Sequence, residues 1–143
     1  MKKIKFQELS FEYQQLLKSA EEARAQSYSP YSKIKVGAAI LSQKQETIKG
    51  ANMENASFPL SVCAEVAALA QANSRGIFNF QAFALISSLE KIITPCGACR
   101  QILVEFWQRT GFDFELIMSG REKKEVMIAK VSELLPWSFD INE

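Results

Sequence analysis

Three cysteines and one glutamate stand out in this 143-residue chain, which contains no histidine. Cys63 lies two residues before Glu65, and Cys96 and Cys99 form a CxxC motif farther along. Three thiolates can hold one zinc ion and leave its fourth position open to water, which distinguishes a catalytic zinc site from a structural one. Glu65 is then the expected proton carrier, because the chain has no histidine for acid–base chemistry near neutral pH.

Other interpretations of the cysteines stay open at this level. A CxxC pair is also typical of redox proteins, although redox chemistry needs only two cysteines and usually a thioredoxin-like context. A structural zinc site prefers four protein ligands, and a carboxylate would have to be the fourth here. A buried cysteine can also be a small apolar core residue without metal. The position of Glu65 beside Cys63 favours a catalytic zinc, one ion per chain.

A zinc ion bound by three thiolates carries a net negative charge that its surroundings must offset. Both cysteine motifs lie near predicted helix starts. A helix N-terminus stabilises thiolates through its free N–H groups and its positive potential. Arg100, which follows Cys99 directly, is a second candidate for this role, acting from behind the metal ligands.

Composition and charge exclude several classes of protein. Apolar residues make up 48% and charged residues 23% of the chain, which is typical of a globular protein and predicts a single domain over residues 1–143. A net charge of +1 provides no basic field for nucleic acid. No apolar run resembles a signal peptide or a membrane span, so we expect a cytoplasmic protein. In that compartment an odd number of cysteines favours metal binding or catalysis over disulfides.

The elements that position these residues follow from hydrophobic periodicity and turn residues. The order α-β-β-α-β-α-β-β predicts an α/β fold of three layers, α/β/α, with a mixed sheet of about five strands and helices on both faces. The predicted helices span residues 10–27, 60 or 61–73 and 101–107, and the predicted strands span residues 34–41, 46–53, 83–88, 112–118 and 126–131.

Four separate motifs occur in a fixed order along the chain. They are Pro30-Tyr31-Ser32 with Val36-Gly37-Ala38-Ala39, then Gly50-Ala51-Asn52-Met53-Glu54-Asn55-Ala56-Ser57, then Cys63-Ala64-Glu65 with Pro95-Cys96-Gly97-Ala98-Cys99-Arg100-Gln101, and finally Leu134-Leu135-Pro136 with Ser138-Phe139. In content, order and spacing they resemble the small homotetrameric cytidine deaminases. This resemblance covers most of the chain and implies a cytidine-deaminase-like catalytic domain.

The resemblance implies a zinc-dependent hydrolysis of cytidine and deoxycytidine to uridine and deoxyuridine plus ammonia, as part of pyrimidine salvage. Cys63, Cys96 and Cys99 would bind the zinc. Glu65 would take a proton from water at the metal, deliver a proton to N3 of the pyrimidine and then one to the leaving amine.

The resemblance also implies a substrate pocket. Asn52 and Glu54 would hold the sugar hydroxyls, which agrees with their spacing, because residues two apart on a strand share a face. Backbone groups at Ala64 and at residues 94–95 would contact the base. Phe139 would approach the site of a neighbouring subunit, since active sites in this family lie at subunit interfaces.

Two positions depart from the family pattern. Val66 stands where the family usually has an arginine that offsets thiolate charge, and Ile34 stands where it usually has a phenylalanine near the pyrimidine. Deaminases of aminonucleoside antibiotics, the blasticidin type, also have an apolar residue at the position of Val66, so a modified nucleoside remains an alternative substrate. A base in nucleic acid and a non-catalytic zinc scaffold are further alternatives. The net charge of only +1 argues against a substrate in nucleic acid, and the presence of Glu65 argues against a non-catalytic scaffold.

Overall fold

The computed structural model describes residues 1–141, which contain both helices and strands. The strands are β1 (Lys2–Lys5), β2 (Val36–Ser42), β3 (Thr47–Ala51), β4 (Phe80–Ser87), β5 (Glu115–Ser119) and β6 (Glu125–Lys130), and the helices are α1 (Phe11–Arg24), α2 (Ala64–Ser74), α3 (Gly97–Thr110) and α4 (Val131–Leu134). No helix within residues 1–141 combines the length and the apolar character that crossing a bilayer requires.

All six strands join one mixed sheet in the order β1-β6-β5-β4-β2-β3. The hairpin β2–β3 is antiparallel, and β2 also pairs antiparallel with β4. Strands β4 and β5 are parallel, and α3 forms the crossover between them. A parallel pair needs such a long connection, which here carries the CxxC motif to one end of the sheet.

Successive side chains of each strand point to opposite faces of the sheet, so two apolar cores form. In β2, Ala38 and Ile40 belong to the core beneath α2 and α3, whereas Ala39 and Leu41 belong to the core beneath α1. Helix α1 buries Leu16, Leu17, Ala20 and Ala23 in that second core. The predicted three-layer α/β/α fold is therefore confirmed.

The sequence-based expectation of about five strands missed β1. This strand is Lys-Lys-Ile-Lys at the edge of the sheet, where only Ile4 is partly buried. Its partner is β6, with Lys2 opposite Ile128. A short, charged edge strand whose partner lies at the other end of the chain leaves almost no periodic signal in its own sequence.

Gly50 in β3 sets the close approach of α2 to the sheet. A Cβ atom at this position would lie 2.5 Å from the carbonyl oxygen of Ala64 and 2.4 Å from the amide nitrogen of Ala68. Only glycine leaves room for such an approach of backbone to backbone. The first turn of α2, which carries Glu65, is thereby held against the end of the β2–β3 hairpin.

Candidate metal centre

The two cysteine motifs coincide with the starts of two helices. Cys63 is the N-cap residue of α2, and Cys96 is the N-cap residue of α3. Helix α3 begins at Gly97 rather than near residue 101, so the CxxC motif itself forms the first helical turn and brings Cys99 onto its buried side. The predicted convergence of two helix N-termini on the cysteines is confirmed.

The three cysteine sulfurs form a compact cluster. Their Sγ atoms all lie within 4.8 Å of one another, and no other group of three or more His, Cys, Asp or Glu side chains among residues 1–141 is arranged to hold a metal. A tetrahedral zinc with Zn–S bonds of about 2.3 Å needs sulfurs about 3.8 Å apart, so a small inward movement of the side chains is sufficient. The donor set fits zinc, and the described residues supply three ligands and leave one position for water.

Hydrogen bonds between the thiols link the three sulfurs. The Cys63 thiol has its pKa lowered to about 6, because a hydrogen bond from the Cys99 thiol stabilises its thiolate. The same interaction raises the pKa of Cys99, and burial adds to that shift. Cys63 therefore ionises before Cys99, and a thiophilic cation bound by the three sulfurs can replace the thiol protons.

Glu65 lies beside this cluster on the first turn of α2 and is only 5% exposed. Burial raises the pKa of its carboxyl to about 7, and the negative charge of Cys63 adds to the shift. A buried carboxyl that lies next to a metal site and ionises near neutral pH has the properties of a proton carrier.

A cavity of about 270 Å³ opens over the cluster. This volume is near the lower limit for a small-molecule pocket. Its walls come from the start of β2, the segment after β3, the start of α2 and the segment before α3. The lining residues are Val36, Asn52, Met53, Glu54, Ser61, Val62, Cys63, Ala64, Glu65, Ile93, Thr94 and Cys96. Thus Asn52, Glu54, Ala64 and Glu65, all predicted from sequence, border one cavity with two of the cysteines.

Asn52 borders this cavity and also organises the chain before β2. Its Oδ1 atom accepts hydrogen bonds from the Ser27 hydroxyl at 2.5 Å and from the Val36 amide at 2.8 Å. Its Nδ2 atom donates to the Ile34 carbonyl at 2.9 Å. One N–H of the Asn52 side-chain amide thus binds the loop before β2, and these hydrogen bonds fix the side chain in a single orientation at the cavity wall.

Glu54 is held by the same loop, and Ser32 is a partner that sequence analysis missed. One carboxylate oxygen accepts hydrogen bonds from the amides of Tyr31 and Ser32 at 2.9 and 3.2 Å, and the other accepts from the Ser32 hydroxyl. The Ser32 hydrogen bond contributes most to lowering the pKa of Glu54. Ser32 lies in the motif Pro30-Tyr31-Ser32, yet nothing in that motif predicts which carboxylate it meets.

Arg100 was expected to offset the charge of the thiolates, but its guanidinium is hydrogen-bonded to oxygen atoms. Its guanidinium donates hydrogen bonds to the Pro95 carbonyl, the Leu134 carbonyl and the Thr94 hydroxyl. Val66 lies in a separate groove between α2 and α3, together with Ile102 and Phe106. Cys63 and Cys96 cap α2 and α3, so both helix N-termini direct positive potential toward the sulfurs.

Ile34 and Phe139 lie outside the cavity of the single chain. Ile34 precedes β2 and is half-buried, and Val36 takes the place on the cavity wall that was expected for it. Phe139 is 71% exposed, and its carbonyl accepts a hydrogen bond from Gln101 at 3.1 Å. The expected contact of Phe139 with a second subunit stays a prediction.

Comparison with known proteins agrees with this geometry. Residues 11–111 match the model of the cytidine and deoxycytidylate deaminase zinc-binding region. A cytidine deaminase from Halalkalibacterium halodurans is 40% identical over 133 residues, which cover 91% of this chain and 98% of that protein. A cytidine deaminase from Sporosarcina psychrophila is 36% identical over 126 residues, covering 88% of this chain and 90% of that protein.

Solved structures give the same result. The crystal structure of cytidine deaminase from Burkholderia pseudomallei has a TM-score of 0.82 and 34% identity to this chain, covering 92% of it and 100% of that chain. The fold, the cysteine cluster and the family match agree over most of the sequence. The chain therefore belongs to the cytidine and deoxycytidylate deaminase family, and its three clustered cysteines are arranged so that they could hold a zinc ion.

Proposed function

We propose that this protein is a zinc-dependent deaminase that hydrolyses cytidine and deoxycytidine to uridine and deoxyuridine plus ammonia. The observation that carries the proposal is the buried Glu65 carboxyl, which borders one small cavity together with Cys63 and Cys96. The relatives described above support this choice of substrate, since they are named cytidine deaminases. A free nucleoside also fits a cytoplasmic role in pyrimidine salvage, which cell fractionation and growth on cytidine as pyrimidine source would test.

Glu65 moves the protons of this reaction. Bound zinc supplies a Lewis acid that makes water nucleophilic near neutral pH. Glu65 accepts one proton from the attacking water and delivers it to N3 as the oxygen adds to C4 of the pyrimidine. N3 must be protonated because addition at C4 breaks the conjugation of the ring. Glu65 then takes the remaining proton from the new C4 hydroxyl and transfers it to the amino group, so that the bond from C4 to nitrogen breaks, ammonia leaves and the C4 carbonyl of the product forms.

The cavity walls orient the nucleoside for this attack. We assign Asn52 and Glu54 to the sugar hydroxyls, because an amide and a carboxylate side by side can donate to and accept from neighbouring hydroxyls. Backbone groups of Ala64 and of Thr94 and Pro95 hold the base. Fixing both ends of the substrate turns an encounter with water into an oriented reaction.

Replacing Ser32 with alanine should raise KM for cytidine about fivefold and leave kcat nearly unchanged, as the loss of one hydrogen bond of about 1 kcal/mol predicts. Ser32 holds the Glu54 carboxylate without reaching the reacting atoms. Steady-state kinetics would check this result. Ser74→Ala is the matched control, because the Ser74 hydroxyl bonds only within α2. An unchanged KM in Ser32→Ala would show that the Ser32 hydroxyl does not position Glu54 for the substrate.

A base within nucleic acid is a poorer substrate for this cavity. Its described lining contains no lysine or arginine to bind the phosphates that flank such a base. A modified aminonucleoside is the second candidate, suggested by Val66. However, Val66 lies in the groove between α2 and α3 rather than on the cavity wall, so it does not select the substrate by contact.

A substrate panel tests the proposed function. Zinc-loaded protein is mixed separately with cytidine, deoxycytidine, a blasticidin-type aminonucleoside and a cytosine-containing oligonucleotide, and release of ammonia is measured. We expect turnover of the two free nucleosides and none of the oligonucleotide. Turnover of the antibiotic nucleoside alone would assign the chain to the second candidate, and inactivity on all four would overturn deamination.

We also propose a homotetramer in which active sites lie at subunit interfaces. Met53, which lines the cavity, is an exposed apolar side chain. Other exposed apolar side chains are Phe58 and Leu60 in the segment before Ser61, and Trp137 and Phe139 near the C-terminal end. Apolar side chains exposed in such number are typical of an interaction surface. Light scattering should give about four times the chain mass, and a monomer that deaminates cytidine would contradict the shared site.

A further inference from the structure

The first turns of α3 hold the end of the chain in addition to carrying Cys99. The three nitrogens of the Arg100 guanidinium donate to the Pro95 carbonyl at 2.8 Å, the Thr94 hydroxyl at 2.9 Å and the Leu134 carbonyl at 3.1 Å. The next residue, Gln101, donates to the Phe139 carbonyl at 3.1 Å. Two neighbouring side chains thus connect the start of α3 to both ends of residues 134–139, termed here the C-terminal segment.

The C-terminal segment packs against the core at its start, through Leu134 and Leu135. Leu134 is buried at the end of α4, but Trp137 is fully exposed and Phe139 is 71% exposed. Trp137 also adopts a φ of 59°, which is unfavourable for a bulky side chain. Within the single chain, the hydrogen bonds from Arg100 and Gln101 therefore contribute to the position of this segment.

The other partners of Arg100 belong to the cavity. Thr94 lines it, and Pro95 is buried directly before the ligand Cys96. A guanidinium presents its donors in a rigid, permanently charged fork, so one side chain can fix three acceptors at once. The ammonium group of a lysine has no such fork.

We propose that Arg100 is a positioning residue that fixes the Thr94–Pro95 edge of the cavity and the C-terminal segment against each other. This inference rests on the proposed function, because that edge is assigned to the base of the substrate. The three hydrogen bonds direct the guanidinium to carbonyl and hydroxyl oxygens, so Arg100 acts through these groups rather than on a thiolate.

The test compares Arg100→Ala and Arg100→Lys with wild type, and uses Arg109→Ala as the matched control. Arg109 lies near the other end of α3, where it stacks on Phe78. Three kinds of measurement are made on the zinc-loaded protein: the steady-state kinetics of cytidine (KM and kcat), the zinc content, and the rate of chymotryptic cleavage after Trp137 and Phe139, located by mass spectrometry.

Both Arg100 variants should raise KM and the cleavage rate about tenfold, as expected from losing a charge-assisted hydrogen bond, with kcat within about twofold and zinc content unchanged. Arg109→Ala should match wild type in all three. A fall in kcat and zinc content at unchanged KM and cleavage rate would overturn the proposal, since it would place Arg100 at the metal. Wild-type KM and cleavage in both variants would overturn it as well.

Two features keep this test decisive. Arg100→Lys retains the charge and the alkyl chain, so it carries the comparison if Arg100→Ala does not fold. Cleavage needs no substrate, so a wild-type protein inactive on cytidine would refute the proposed function while the cleavage rates still decide whether Arg100 holds the C-terminal segment.

Discussion

Replacing Glu65 with glutamine should lower kcat for cytidine by about three orders of magnitude, the usual size of a general acid–base contribution. Glutamine has nearly the same shape but cannot take up and release protons. Glu65 is buried beside the cysteine cluster and is not needed to complete it, so the zinc content should stay at the wild-type value. Steady-state kinetics and metal analysis on the same preparation would measure both effects.

Glu105→Gln provides the control for this experiment. It removes the same charge from an exposed position on α3, in the groove with Val66 and away from the cavity. Its kcat should equal that of wild type. If Glu65→Gln also retained wild-type turnover with full zinc content, Glu65 would not be the proton carrier, and the reaction would need another group.

Replacing Cys99 with serine should remove zinc binding and, with it, activity. Cys99 is fully buried, and its sulfur lies within 4.8 Å of the sulfurs of both other cysteines. A neutral hydroxyl is a far weaker zinc ligand than a thiolate, and metal binding is linked to folding, so the melting temperature should also fall. Metal analysis and thermal unfolding of the purified variant would measure the two losses.

Ala98→Ser is the matched control, because it adds a hydroxyl at the neighbouring exposed position without removing a thiol. It should keep about one zinc per chain. Treating wild type with a chelator should make the exposed thiols of Cys63 and Cys96 accessible to an alkylating reagent, whereas the buried Cys99 should react only on unfolding. A Cys99→Ser protein with a full complement of zinc would show that the cluster is not the metal site.

The chemistry of the site was predictable because it depends on residue inventory. The chain has three cysteines and no histidine, so only one set of three thiolates was available to bind a zinc ion. The convergence of Cys63 and Cys96 was also predictable, since each lies at the start of a helix pattern. Local periodicity carries this information, and packing then brings the two helix starts together.

The partners of the polar side chains were not predictable in the same way. Asn52 and Glu54 were expected on one strand, but β3 ends at Ala51, and both side chains bind the loop before β2. Arg100 was expected to serve the metal because it follows Cys99, whereas its guanidinium reaches Leu134, far along the sequence. Such contacts depend on how loops close in three dimensions, and spacing along the chain does not encode them.

The charge of the zinc site follows from these positions. Val66 replaces the arginine usual in the family, and Arg100 is engaged elsewhere, so neither side chain donates a hydrogen bond to a described sulfur. The N-termini of α2 and α3, capped by Cys63 and Cys96, then stabilise the thiolates. The two helix starts that meet at the cluster therefore position the cysteines and also stabilise their negative charge.

The most direct test of the central claim is the ultraviolet absorbance of cytidine after addition of zinc-loaded wild-type protein, with zinc-loaded Glu65→Gln in parallel. We expect a steady loss of the cytidine band and an equal yield of uridine and ammonia with wild type, and almost no change with the variant. An unchanged cytidine spectrum in the presence of zinc-loaded wild-type protein would show that the protein does not deaminate cytidine.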